Sequence, residues 1–104
     1  MEARFVTITR HIGADKFCKR SFNSEEEAIE FKNMVTNRDY DRHEFVGLIK
    51  EKSSGHRWYL YISNPKKDWK KDTMYFNSKK NCILAIKLIK EYNDDLIISY
   101  AKIY

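Results

Sequence analysis

The segment Phe22-Asn23-Ser24 recurs fifty-four positions later as Phe76-Asn77-Ser78, and this repeated triplet decides the fold. In both copies an aromatic residue ends a stretch with strand-like alternation, and a serine follows where a helix would begin. A serine at the N-cap accepts a hydrogen bond from an unpaired backbone N–H of the first helical turn. Glu27 stands three residues after Ser24, which is the spacing of a capping box. The triplet therefore predicts a strand-to-helix junction in each half of the chain.

Apolar character repeats around the triplet in the same order, which is the signature of an internal repeat. At the offset of fifty-four the matched pairs are Phe5–Tyr59, Val6–Leu60, Ile8–Ile62, Thr9–Ser63, Ala28–Cys82, Ile29–Ile83, Met34–Leu88 and Val35–Ile89. After the helices the offset falls by two, and the pairs are Phe45–Ile97, Val46–Ile98 and Lys50–Lys102. We interpret this pattern as a tandem duplication.

Each half predicts two strands, a helix and a closing strand. Period-two alternation indicates strands at 4–10, 16–22, 44–50, 57–63, 73–76 and 96–103, and helical spacing indicates helices at 24–37 and 78–92. The sequence thus predicts an α+β fold in one domain, residues 1–104. Its two tandem ββαβ repeats, 4–52 and 57–104, would be joined by a turn at 53–56. We expect a mainly antiparallel sheet of about six strands with two helices on one face.

The same spacing predicts the core. Helical periodicity places Ala28, Phe31, Met34 and Val35 on one face, and Cys82, Ala85, Leu88 and Ile89 on the equivalent face. We expect the following side chains to be buried between sheet and helices: Val6, Ile8, Phe31, Val35, Leu60, Ile62, Cys82 and Ile89. The sheet face that the helices leave uncovered would present Phe5, Thr7, Tyr59, Tyr61, Tyr75 and Tyr100.

No motif for catalysis is found in the sequence. It has no glycine-rich phosphate loop, nucleophile elbow or paired metal ligands, so we expect no enzyme, no catalytic residues, no metal and no cofactor. Two distant cysteines make no disulfide framework, and Cys82 is interpreted as a core residue. The chain leads directly into a strand-like pattern and has no long apolar run, which predicts a cytoplasmic protein without a membrane segment. Lys, Asn, Ile and Tyr, whose codons are A/T-rich, make up 39 of the 104 residues, which indicates an A/T-rich bacterial, plasmid or phage genome.

Charge differs sharply between the halves. Residues 1–54 carry ten basic and ten acidic side chains, whereas residues 55–104 carry ten basic and five acidic ones, so the whole net charge of +5 lies in the second half. It concentrates in a basic loop that begins at Asn64-Pro65 and has Trp69 at its centre. Lysines with an embedded aromatic residue suit phosphate contact combined with base stacking, although such runs also occur as solvated loops.

Two main functional hypotheses follow, with a metal-free hydrolase of unknown type as a distant third. The first is a small non-enzymatic nucleic-acid-binding module that uses the basic loop and the aromatic sheet face, with contacts from Lys66, Lys67, Trp69, Lys70, Lys71, Lys79, Lys80, Tyr59 and Tyr61. The second is a small protein-binding inhibitor or adaptor of phage or mobile-element type that acts on a host enzyme or defence protein. A homodimer through the aromatic sheet face or helix 78–92 is a further possibility, because the second helix has a wider apolar arc at Leu84 and Ile86. Central packing of that helix is the simpler interpretation of the arc.

The run from Lys19 to Ala28, Lys-Arg-Ser-Phe-Asn-Ser-Glu-Glu-Glu-Ala, resembles a strand-to-helix junction of several small modules. It is similar to the junction of integrase-arm DNA-binding domains and of hybrid-binding domains of ribonuclease H type. The resemblance covers about ten residues in each half and follows from capping chemistry.

Overall fold

The computed structural model describes residues 3–12, 16–37, 42–52 and 57–103, and for residues 67–71 it describes the backbone alone. In this part of the chain eight elements follow one another in the order ββαβββαβ. They are β1 (Ala3–His11), β2 (Lys16–Phe22), α1 (Glu25–Thr36), β3 (His43–Lys52), β4 (Trp58–Asn64), β5 (Lys67–Phe76), α2 (Lys79–Tyr92) and β6 (Ile97–Lys102). The predicted order of strands and helices is confirmed, while the turn predicted at 53–56 lies outside the described residues.

The strands form two separate antiparallel sheets of three strands each, so the prediction of one six-stranded sheet is wrong. The sheet orders are β2-β1-β3 and β5-β4-β6. In each sheet the hairpin partner pairs with one edge of the central strand, and the strand after the helix pairs with its other edge. Both edges of the central strand are therefore paired with strands from the same half of the sequence. The chain accordingly divides into two compact units, Met1–Ser53 (unit 1) and Ser54–Tyr104 (unit 2), each with its own sheet and helix.

Both helices begin at the predicted caps. The Ser24 hydroxyl accepts a hydrogen bond from the Glu27 backbone N–H at 3.2 Å, and the Ser78 hydroxyl accepts one from the Asn81 backbone N–H at 3.2 Å. Each bond satisfies a donor that the helical ladder leaves unpaired. Neither helix is long and apolar enough to cross a membrane.

The register of the central strands corrects the alignment of the halves by one residue. Phe5 lies opposite both Phe22 and Lys50, whereas Trp58 lies opposite both Phe76 and Lys102. The partner strands therefore keep the predicted correspondence, but β1 matches β4 at an offset of fifty-three rather than fifty-four. Because side chains alternate across a strand, one residue of slip exchanges the two faces of the strand.

In unit 1, α1 therefore packs on the face of Phe5, Thr7 and Thr9. The Phe31 ring lies 5.4 Å from the ring of Phe22, which is opposite Phe5. The Arg20 guanidinium likewise lies 5.1 Å from the centre of the Phe31 ring, and Arg20 is opposite Thr7. Thr7, which we expected on the uncovered face, is fully buried with 0% of its surface exposed.

The predicted core residues are buried, although two of them lie on the other face. Val6, Ile8, Phe31, Val35, Leu60, Ile62, Cys82 and Ile89 all have less than a tenth of their surface exposed. Val6 and Ile8 alternate with Thr7, so they lie on the face away from α1 and the placement between sheet and helix is wrong for them. Met34 is exposed as well, contrary to its predicted place on the core face of α1.

In unit 2, α2 packs on the face of Trp58, Leu60 and Ile62. Lys79 Nζ, at the first residue of α2, lies 5.7 Å from the centre of the Trp58 ring. Between this face and the helix the buried side chains are Leu60, Ile62, Met74, Phe76, Cys82, Ala85 and Ile89. The opposite face of this sheet carries Tyr59 and Tyr61.

Candidate nucleic-acid interface

Three tyrosines lie together on the face of the unit 2 sheet away from α2, and we call them the tyrosine face. Tyr59 is directly opposite Tyr75 in the β4–β5 ladder, and Tyr61 is opposite Thr73. Tyr75 has 53% of its surface exposed, while Tyr59 and Tyr61 are half-buried. The face presents aromatic rings beside the exposed hydroxyls of Thr73 and Ser99, a combination that suits stacking with hydrogen bonding.

The tyrosine face is smaller than the aromatic face that the sequence predicts. Phe5 and Thr7 belong to the helix-covered face of unit 1. Tyr100 lies opposite Leu60, and its ring is 6.1 Å from the Trp58 ring, so it belongs to the α2 side of unit 2. These residues were misplaced because the parity of each strand relative to its neighbour is fixed by the ladder, which alternation within one strand does not reveal.

The basic segment is a turn followed by a strand, so the prediction of a basic loop is wrong. Pro65 and Lys66 form the turn, in which the Asn64 side-chain oxygen accepts a hydrogen bond from the Lys66 backbone N–H at 3.0 Å. β5 then begins at Lys67. The side chains of the predicted contacts Lys67, Trp69, Lys70 and Lys71 lie outside the described side chains.

A bulge interrupts β5 where this segment pairs with β4. The ladder steps from Ser63 opposite Lys71 to Asn64 opposite Lys67, so three residues of β5 lie against a single step of β4. Trp69 and Lys70 fall among those three. The backbone ladder is therefore irregular at this end of the unit 2 sheet.

Lys66 forms an exposed ion pair with Asp95. Its Nζ lies 3.2 Å from a carboxylate oxygen of Asp95, and both side chains are exposed. Exposed ion pairs contribute little stability, and a phosphate can compete for the lysine at small cost. Lys66 therefore remains available to an anionic ligand.

Lys79 and Lys80 lie at the other end of unit 2. Both are exposed at the start of α2, and Lys79 reaches the Trp58 ring at the start of β4, whereas Lys66 follows the end of β4. A strand of seven residues spans about 20 Å. The predicted basic residues consequently form two groups at opposite ends of unit 2 rather than one patch. Trp58, which the sequence analysis did not single out, is the aromatic residue of the second group.

The histidines of unit 1 have partners that the sequence did not indicate. His11 and His43 are opposite each other in the β1–β3 ladder, with ring centroids 4.9 Å apart in an edge-on arrangement. The Thr9 hydroxyl lies 3.2 Å from His43 Nδ1. A hydroxyl beside an imidazole is the first part of a nucleophile–base pair, but Thr9 is buried in the sheet and cannot meet a substrate.

Among the described residues no group of three His, Cys, Asp or Glu side chains could hold a metal ion. Comparison of the chain with protein-family models, with curated proteins and with solved structures gave no match.

Proposed function

We propose that this protein binds single-stranded nucleic acid through unit 2, with bases stacked on the tyrosine face and phosphates contacted by the lysines at its ends. The observation that carries the proposal is the exposed ring of Tyr75 beside Tyr59, on the sheet face away from α2, in the half of the sequence that carries the whole net charge. Sheet faces with exposed aromatic rings stack unpaired bases, and stacking tolerates any base sequence.

The phosphate contacts are assigned to the lysines of the β4–β5 end. Lys66 lies in the turn, and Lys67, Lys70 and Lys71 follow within five residues, next to the bulge. Such contacts release counterions, so affinity falls steeply with salt. Lys79 and Lys80, about 20 Å away, would give a longer strand a second point of contact.

Single strands are preferred over duplex in this proposal. The tyrosine rings need an unpaired base to stack on, and a regular duplex keeps its bases paired. We therefore expect weak sequence preference, and we leave the choice between RNA and DNA to the experiment.

The test is fluorescence anisotropy with labelled single-stranded RNA, single-stranded DNA and duplex at low salt. Tyr75→Ala should weaken single-strand binding roughly 5- to 150-fold through lost stacking, with an unchanged salt slope. Replacing Lys66, Lys67, Lys70 and Lys71 by Ala should weaken binding and also flatten the salt slope.

Tyr75→Phe keeps the ring and should bind nearly as the unchanged protein does, while Tyr92→Ala removes an exposed tyrosine from α2 and should have no effect. No binding to any oligonucleotide at tens of micromolar protein would contradict the proposal. If Tyr75→Ala and Tyr92→Ala weaken binding equally, the tyrosine face is not the binding surface.

The protein-binding alternative has its own support. Ile83 and Leu84 of α2 are exposed, so central packing is wrong for Leu84, and the wider apolar arc of the second helix reaches the surface. Ile83 and Leu84 are adjacent and form a contiguous apolar patch, and contiguous apolar patches are a feature of partner surfaces.

A further inference from the structure

The outer faces of the two helices carry matching stripes of opposite charge. The α1 stripe consists of Glu26, Ile29, Glu30 and Asn33, and the α2 stripe consists of Lys80, Ile83, Leu84 and Lys87. Both have the spacing i, i+3, i+4, i+7, which keeps four side chains on one face of a helix. All eight residues are exposed.

Each stripe has an apolar centre. Ile29 has 40% of its surface exposed, and Ile83 and Leu84 have 43% and 39%. The apolar groups lie between charged ones, as in an interface with a hydrophobic middle and a polar rim. The stripes thus offer both the area and the charges that a helix-to-helix contact uses.

The charges distinguish the two helices along their whole length. α1 carries four glutamates and one lysine, a net charge of −3, while α2 carries four lysines and one glutamate, a net charge of +3. Glu26 and Glu30 are four residues apart in α1, an arrangement of like charges that destabilises an isolated helix. A basic surface laid against α1 would relieve this repulsion.

We propose that the α1 stripe of one copy of the protein packs against the α2 stripe of a second copy. Contact between two α1 stripes would oppose glutamates to glutamates, and contact between two α2 stripes would oppose lysines to lysines. The mixed contact joins Ile29 to Ile83 and Leu84 and brings the two glutamates of one stripe against a stripe whose charged residues are both lysines. The occupant with the same spacing and the complementary charge is therefore another copy of this chain.

The contact is heterologous, because two different surfaces meet. Each copy carries one of each, so the assembly closes as a pair with two such contacts or continues as a longer chain. One helix pair buries far less than the roughly 1,200 Å² of a stable interface, so the association is weak and depends on concentration. The charges are exposed, so added salt should weaken the attraction. At 0.1 M ionic strength the screening length is about 10 Å.

Charge reversal tests the proposal by sedimentation velocity of nucleic-acid-free protein at low salt. Glu26→Lys with Glu30→Lys makes both stripes basic, and Lys80→Glu with Lys87→Glu makes the α2 stripe acidic like that of α1. Each variant alone should lose the association that the unchanged protein has. An equimolar mixture of the two variants should associate again, and so should the chain that carries all four substitutions.

The matched control for the lysine variant is Lys16→Glu with Lys102→Glu, which lowers the net charge by the same amount as Lys80→Glu with Lys87→Glu, at exposed strand positions outside both stripes. It should sediment as the unchanged protein does, and circular dichroism should give the same helix content for every variant. Addition of 0.5 M salt should dissociate the unchanged protein and the mixture alike.

Three results would overturn the proposal: an unchanged protein that is monomeric at millimolar concentration and low salt, single variants that still associate, or a mixture that does not. If the unchanged protein is monomeric, the partner of the α2 stripe would instead be an acidic segment of a different protein. The measurement contains no nucleic acid, so its outcome is independent of the function proposed above. Lys80 serves in both, and bound oligonucleotide should compete with self-association.

Discussion

The ion pair between Lys19 and Glu51 is the clearest electrostatic feature of unit 1. Lys19 Nζ lies 3.7 Å from a Glu51 carboxylate oxygen, and the two side chains are 22% and 5% exposed. Lys19 is opposite Ile8 and Glu51 is opposite Arg4, so the pair lies on the face away from α1. Burial lowers the pKa of Lys19 below its usual 10.5, and the neighbouring Glu51 opposes part of this effect.

Removal of the lysine alone should destabilise the protein, because Glu51 would stay buried after losing one cationic neighbour. We expect Lys19→Met to cost roughly 2–3 kcal/mol of the free energy of unfolding in urea. Lys19→Met combined with Glu51→Leu should recover most of that loss, since two apolar groups replace a pair whose desolvation was costly. Lys16→Met, at an exposed lysine on the same strand as Lys19, is the control and should change stability by less than about 0.5 kcal/mol. A double variant as unstable as Lys19→Met would refute this account.

The lowered pKa of Lys19 also sets the sign of a pH effect. Between its folded pKa and 10.5 the unfolded chain binds more protons than the folded one, so stability should rise with pH through that alkaline window. The penalty for the buried ammonium is present at neutral pH and disappears as the folded group deprotonates. The unchanged protein should therefore gain stability relative to Lys19→Met as pH increases toward 10.5. If the difference in free energy of unfolding between the two proteins falls instead, burial does not lower the pKa of Lys19.

At the scale of the element, the two helices share a cap but differ in the first turn. α1 begins with Glu25, Glu26 and Glu27, whereas α2 begins with Lys79 and Lys80 and has no acidic residue there. The N-terminal end of a helix carries partial positive charge, which favours glutamate and disfavours lysine. α2 therefore retains an unfavourable arrangement at its start, which is consistent with lysines kept for an anionic partner.

Lys80→Glu should stabilise the fold by about 0.3–1 kcal/mol, because it replaces a cation by an anion in the first turn of α2. Lys102→Glu makes the same charge change in β6 and should leave stability unchanged. Thermal unfolding at low salt measures both, and 1 M salt should reduce the gain. A destabilised Lys80→Glu variant would mean that this lysine has a folded-state partner. Because Lys80→Glu should make the fold more stable, a loss of self-association in a variant that carries it cannot be attributed to unfolding.

At the scale of the whole molecule, we expect the two units to unfold together. Units of 53 and 51 residues are near the lower limit at which a hydrophobic core stabilises a chain alone. Ile8→Ala in unit 1 and Ile62→Ala in unit 2 should each cost roughly 2–5 kcal/mol and shift one calorimetric transition without splitting it. Ile97→Ala, at the most exposed large apolar residue of the described chain, should have little effect. Two separate transitions, each sensitive to one substitution, would contradict the single domain that the sequence predicts.

Sequence alone determined the features that depend on neighbours along the chain. Caps at Ser24 and Ser78 follow from a hydroxyl three residues before a backbone donor, and the order of elements follows from the change between period two and period 3.6. Burial of Ile8 and Ile62 follows from their apolar character. The tyrosine alternation in β4 likewise placed Tyr59 and Tyr61 on one face, and the same alternation in β5 could have added Tyr75 to the predicted contacts.

Only the tertiary structure decided which face of each strand meets a helix and how the strands are shared between sheets. Val6 and Thr7 are neighbours in the sequence but lie on opposite faces of the sheet. A slip of one residue between β1 and β4 exchanges these two faces without altering the alternation within either strand. The same holds for the basic residues, since Lys66 and Lys79 are thirteen positions apart in the sequence yet stand at opposite ends of β4. Register and pairing depend on hydrogen bonds between distant segments, and periodicity within a single segment carries no information about them.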